Sequence, residues 1–163
     1  MTIWTGTLPN FTNGPPLDAT DLNTMVDALQ GLSDPWTPYT PVWTATGTAV
    51  ALGNGTIVGK TWQANKTVVA AGRLTFGSTT TGGTGIWAIT IPVLAADVNC
   101  VGSALAFHST GSALSGTCNF RSTGTLQFFG IPATGLAGQW SATVPITWAS
   151  GDFLQWQVMY EAA

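Results

Sequence analysis

Charge is what this chain has least of. Only 7% of its 163 residues are Asp, Glu, Lys or Arg, against about 25% in an ordinary soluble domain. Four residues are basic, Lys60, Lys66, Arg73 and Arg121, and they are scattered in sequence. Nucleic-acid binding works by neutralising phosphates with clustered cations, so no nucleic-acid partner is expected. Two cysteines, Cys100 and Cys118, and a single histidine cannot supply four zinc ligands by themselves, and they read as two buried free thiols. No apolar run approaches the roughly 18 residues of a bilayer span, and the first 15 residues lack the basic start and apolar middle of a signal peptide. No membrane partner is expected, and synthesis in a cytoplasm is.

Hydrophobic residues, in contrast, make up 45% of the chain, and Gly, Thr and Ser fill most of the rest. So few charges are a thin cover for the surface of an isolated subunit. The composition therefore favours a subunit interface, a supporting scaffold, or both.

The opening, MTIWTGTLPNFTNGPP, is too rich in Thr, Gly, Asn and Pro for a regular element and reads as an extended arm. A helix over about 19–30 follows, with Asp18 as N-cap, Asp21 at its positive end, and Leu17 and Leu22 placed as a hydrophobic staple. Gly31 and Asp34-Pro35 end it. Leu22, Met25, Val26, Leu29 and Leu32 form one apolar stripe. A helix of about 12 residues is marginal in water unless that stripe is buried. Its cover would be its own β-domain, copies of itself, or a larger assembly.

Pro35, Pro38 and Pro41, interleaved with Trp36, Tyr39 and Trp43, predict an extended, polyproline-like connector rather than a strand or helix. The expected organisation is an N-terminal segment, 1–41, for attachment or oligomerisation, and a β-domain, 42–163.

From Trp43 onward the hydrophobic period is two. Strands are expected near 56–63, 66–76, 85–92, 100–109, 116–122, 125–131, 140–148 and 154–160. The cleanest alternation is Trp140, Ala142, Val144, Ile146 and Trp148 in WSATVPITW, where Pro145 implies an edge or a bulge. Asn54-Gly55, Ala64-Asn65 and Ser150-Gly151-Asp152 read as turns. The expected fold is mainly β: the arm and helix, then an antiparallel β-sandwich or jelly roll.

Chemistry has little to work with. His108 has no acid near it in sequence, Ser109 is only its neighbour in the chain, and no nucleophile-elbow motif is present. Asp97 and Asp152 fall at predicted turns, where Asp commonly organises backbone. GSTTTGGTG, 77–85, lacks the lysine and the following helix of a phosphate loop and reads as a flexible hairpin tip. No catalytic residue, metal or cofactor is expected. Trp87, Trp140, Trp148 and Trp156 lie on apolar faces and read as core, whereas Trp36, Trp43 and Trp62 are less constrained. Trp62 with Thr80 and Thr81 is the candidate recognition surface.

GNGT at 53–56, LTFGSTTT at 74–81, GTGIW at 83–87 and Ile91-Pro92 occur in an order that resembles a β module recurrent in virion proteins of tailed bacteriophages, especially phages of actinobacteria. The likeness covers about 39–92, and departs from the module at Ala64-Asn65 and Ala71. GPPLDATDLN, 14–23, is similar to the segment that opens many phage fibre-like and head-attached proteins. The resemblance implies a non-enzymatic virion component on the surface of capsid or tail, assembled in the host cytoplasm. A homotrimer is expected, its helices packed round one axis through Leu17, Leu22, Met25, Val26, Leu29, Leu32 and Trp36. The expected partners are the major capsid protein or tail proteins. Capsid decoration or head fibre is the leading expectation; a minor tail or short tail-fibre protein that binds a host-surface glycan is the other.

Overall fold

The computed structural model describes residues 18–130 and 138–163, which form one helix and ten strands. Leu17, and with it the staple, lies outside the described residues. Helix α1 is Ala19–Gln30; the Asp18 carboxylate accepts the backbone N–H groups of Thr20 and Asp21 at 2.8 and 2.9 Å, satisfying donors the first turn leaves free. Gly31 keeps right-handed helical angles. The helix instead runs out through tight bonds, Leu32 N–H to Leu29 and Ser33 N–H to Gln30, before Pro35 prevents resumption.

The strands are β1 (Thr37–Tyr39), β2 (Trp43–Ala45), β3 (Thr56–Ala64), β4 (Thr67–Thr75), β5 (Trp87–Thr90), β6 (Val101–Phe107), β7 (Ala113–Ser122), β8 (Thr125–Gly130), β9 (Gly138–Gln139) and β10 (Phe153–Glu161). All pair antiparallel in a single sheet of order β1-β3-β4-β10-β6-β7-β8-β5-β2, with β9 beside β8. The sandwich expected from sequence, with two separate sheets, is thus replaced by one strongly curled sheet, a half-barrel. The link between β1 and β2 shows the degree of curl. These strands lie at opposite ends of the pairing order, yet only Thr40, Pro41 and Val42 separate them, so the two edges are within about 14 Å of each other. Alternating strands cannot distinguish one curled sheet from two stacked ones, because either buries one face.

That inner face holds the core. Strand β10 pairs with both β4 and β6 and turns Leu154, Trp156, Val158 and Tyr160 inward. They join Val68, Ala70 and Leu74 of β4 and Leu126 and Phe128 of β8, all buried. At one end Trp43, Phe76, Trp87 and Trp148 pack ring against ring, with centroids 5.0–5.7 Å apart. Trp43 is therefore core as well.

One register row explains how such large rings fit. Across six strands it reads Gly59, Gly72, Trp156, Ala104, Gly116, Gly130. A Cβ on Gly72 would overlap the Trp156 ring, and one on Gly116 or Gly130 would collide with Trp140. Mid-strand glycines mark close approach, and here indole rings lie directly on the backbone.

Two segments depart from expectation. Thr37–Tyr39, inside the proline-rich stretch read as a connector, is a strand, with Pro38 opposite Lys60. It is an edge strand, where a missing donor is tolerated. Conversely, 140–148 is no strand. After β9 pairs with β8, Ser141 and Val144 close a turn through reciprocal backbone bonds, and the Trp148 indole donates to the Ser141 carbonyl at 3.0 Å. The turn brings Trp140 and Trp148 to the same core, centroids 6.1 Å apart. Alternating burial arises here from a folded-back loop.

Candidate functional site

The helix stripe is the first sequence-predicted site, and the structure leaves it uncovered. No residue of α1 is buried. Leu22, Val26, Leu29 and Leu32 are 49%, 47%, 63% and 59% exposed, and Met25 is half-buried. Trp36, 43% exposed, is separated from the stripe and lies on β3, where the Lys60 ammonium stands 4.8 Å from its ring.

The outer face of the sheet is the second surface. Strands β3, β4, β10 and β6 carry a trough of about 610 Å³ lined by Val58, Lys60, Ala71, Arg73, Leu105 and Gln157, among others. Its shape follows from the register. One row sets Lys60, Ala71, Gln157 and Ser103 side by side, and the next sets Val58, Arg73, Gln155 and Leu105. Small Ala71 and Ser103 thus lie between longer neighbours. Lys60 and Arg73 are diagonal neighbours, about 7–8 Å apart at the backbone. No acid lines the trough, and neither cation has a carboxylate partner among the described residues. Each rests on an aromatic ring instead: Lys60 on Trp36, and Arg73 on Phe153 at 3.7 Å, with Phe153 stacked on Phe107. The buried Arg73 Nε has no hydrogen-bond partner. Sequence reading missed this surface because the residues come from four strands. Its one signal was the pair of cations on alternating strands with no nearby acid.

Trp62 sits near this face, half-buried, in a row with Val69 and Met159, the last 64% exposed. Thr80 and Thr81 are elsewhere, so the structure does not bring the candidate recognition residues into one site. The 77–85 loop is also not a free hairpin tip. Thr80 Oγ1 donates to the Leu52 carbonyl at 2.6 Å and accepts the Gly77 N–H. Thr81 bridges Ala51 through two backbone bonds, and Thr79 bonds Asn54. The hydroxyls and backbone of this Gly-rich loop tie it to 46–55. The turn before β3 is centred on Gly53-Asn54, with Gly53 at φ 57° and Gly55 N–H bonded to Leu52. This is one residue earlier than the sequence signal.

His108 and Asp152 do meet, with Nδ1 and Oδ1 3.6 Å apart. The geometry is that of a turn anchor. Asp152 is fully buried; Oδ1 accepts the Ser109 N–H at 2.8 Å and Oδ2 the Ala149 N–H at 2.7 Å. His108 Nδ1 lies 3.3 Å from the Thr110 backbone N and 3.0 Å from its Oγ1, within the same turn. Asp97 likewise accepts the N–H of Asn99. Both cysteines are free thiols. Burial pushes the Cys118 thiol up to about 12, against weaker opposing backbone hydrogen bonds. No group of three or more His, Cys, Asp or Glu side chains able to hold a metal occurs among the described residues. No described helix is long and apolar enough to cross a membrane.

No protein-family model matches the chain, and neither a curated protein nor a solved structure matches it.

Proposed function

We propose that this chain is a non-enzymatic structural protein of a tailed-phage virion, a capsid decoration or head-fibre subunit that self-associates, with a trimer as the expected assembly, and is anchored through its N-terminal segment. One observation carries the reading: α1 is well capped and amphipathic, yet its apolar stripe has no cover, while the β-body completes its core without it. Such a stripe is an interface awaiting a partner. The sequence likeness over 14–23 and 39–92 supports a virion as the assembly that supplies it.

The test is the number of copies per purified virion, by quantitative mass spectrometry against the major capsid protein. Hundreds of copies are expected. A handful would move the protein to the tail or a unique vertex, and absence from virions would overturn the proposal. Sedimentation equilibrium of the purified chain tests the self-association. Leu22→Asp/Leu29→Asp is expected to abolish it with a stability change within about 0.5 kcal/mol, since both side chains are already exposed.

A second reading, a tail protein that binds a host-surface glycan, is favoured by the accessible Trp62, Val69 and Met159 row. Sugars stack on such aromatic faces, and loss of glycan-array or cell binding in Trp62→Ala would support it.

A further inference from the structure

Two unpartnered surfaces on one chain are complementary in charge and shape. The first is α1. Four of the seven acidic residues, Asp18, Asp21, Asp27 and Asp34, lie on it or its flanks, and no Lys, Arg or His precedes Lys60 in the chain. Three such helices packed round one axis through the stripe would bring the Asp18 and Asp21 ends of the copies together with no cation to oppose them. The second surface is the outer trough, which gathers two of the four basic residues, Lys60 and Arg73, has no acid in its lining, and adds apolar Val58, Ala71 and Leu105. Val58 is 60% exposed.

The sizes agree. Twelve helical residues are about 18 Å long, and four strands span about 14 Å between the outer two axes. The tether agrees as well. Trp36, the last residue before β1, rests on Lys60 at the trough, so the link 31–36 leaves from the trough's edge. Six residues reach at most about 20 Å. Within its own chain α1 leaves its stripe exposed, so its own trough is not its seat.

We propose that α1 of one copy docks in the outer trough of a second copy, with its apolar stripe against Val58, Ala71 and Leu105 and with Asp18 and Asp21, which border the stripe, toward Lys60 and Arg73. This rests on the self-association proposed above and names the surface that α1 meets. The contact is heterologous, helix to sheet, and repeated round an axis it closes a ring, including a ring of three. It replaces helix-to-helix packing as the subunit contact.

Complementation tests it in the full-length chain. One variant, Leu22→Asp/Leu29→Asp, spoils the helix; the other, Lys60→Glu/Gln157→Glu, spoils the trough through two exposed side chains. Sedimentation equilibrium should show self-association weakened about tenfold or more in each, with unchanged thermal melts. An equimolar mixture should form a two-copy species, because one variant keeps its trough and the other its helix. In the wild-type protein, association should weaken as salt rises. A trough variant that assembles like wild type, or a mixture that stays monomeric, overturns helix-to-trough docking and leaves self-association standing. A wild-type chain that is monomeric at high concentration overturns self-association itself.

Discussion

Replacing Asp152 with Ala would remove a buried carboxylate from a residue that ties three segments together. Its Oδ1 holds the Ser109 N–H in the β6–β7 turn, its Oδ2 holds the Ala149 N–H, and its backbone carbonyl accepts the Phe76 N–H at the end of β4. Only the first two bonds are lost in the variant. Hydrogen bonds to a charged partner contribute about 1.5–3 kcal/mol each. Ser109 and Ala149 are both exposed, so water takes over part of each bond and the lower end applies. The expected loss is about 3 kcal/mol, which for a chain of this length lowers Tm by roughly 6–12 °C. Asp152→Asn keeps one acceptor but points an amide donor at the other N–H, so it should be destabilised by at least about 1.5 kcal/mol. Ser109→Ala should change stability by less than about 0.5 kcal/mol, because only the backbone of Ser109 is engaged. Urea unfolding followed by tryptophan fluorescence measures all three. A loss below about 1 kcal/mol in both Asp152 variants would refute the turn-anchor reading, and a hydrolytic activity lost in Ser109→Ala would put a nucleophile in its place.

Three further outcomes are expected. Gly72→Ala puts a methyl into the Trp156 ring, so the urea midpoint should fall by the equivalent of about 1–3 kcal/mol with little change in slope. Burial raises both Cys118 and Tyr160 to about 12; between the ordinary thiol and phenol range and that value the unfolded chain releases protons the folded chain retains. Stability should therefore fall as pH rises above about 9, by up to about 1.4 kcal/mol per pH unit for each group, and Cys118→Ala should flatten that slope in alkaline unfolding. Thr80→Val removes the hydroxyl that joins Leu52 to Gly77, and hydrogen exchange at Gly77 should accelerate while the β10 amides stay protected.

What the chain discloses in advance depends on how local the cause is. Helix α1 was legible to the residue because its cap, Asp18, and its stop, Pro35, act on their own neighbours. Strands β4 and β10 were legible because each turns alternate residues toward the core, so apolar positions recur with a period of two. The 140–148 segment has the same period for another reason: Trp140 and Trp148 enter one core from the two arms of a turn. A one-dimensional pattern cannot separate those causes. The trough was illegible for the opposite reason, since Lys60 and Arg73 become neighbours only through the β3–β4 register. The glycine row is an intermediate case. Gly72, Gly116 and Gly130 are visible as mid-strand glycines, but only the pairing shows that they line up beneath Trp156 and Trp140.

The sheet's edges narrow how copies of this chain can meet. A free edge strand is the usual template for joining sheets, through its unpaired backbone groups. Here the strands at the two ends of the pairing order, β1 and β2, are three residues long, and β9, paired only with β8, has two. Pro38 within β1 offers no donor, and Pro41 in the link between β1 and β2 is fully buried. The long strands β4, β10, β6 and β7 each have a paired neighbour on both sides. Association must therefore use faces and the helix. The inner face is filled with tryptophan and leucine, so what is left is the outer face and the uncovered stripe of α1, the two surfaces on which most of the exposed large hydrophobic side chains, Val58, Met159, Val101, Leu22, Val26 and Leu29, are found.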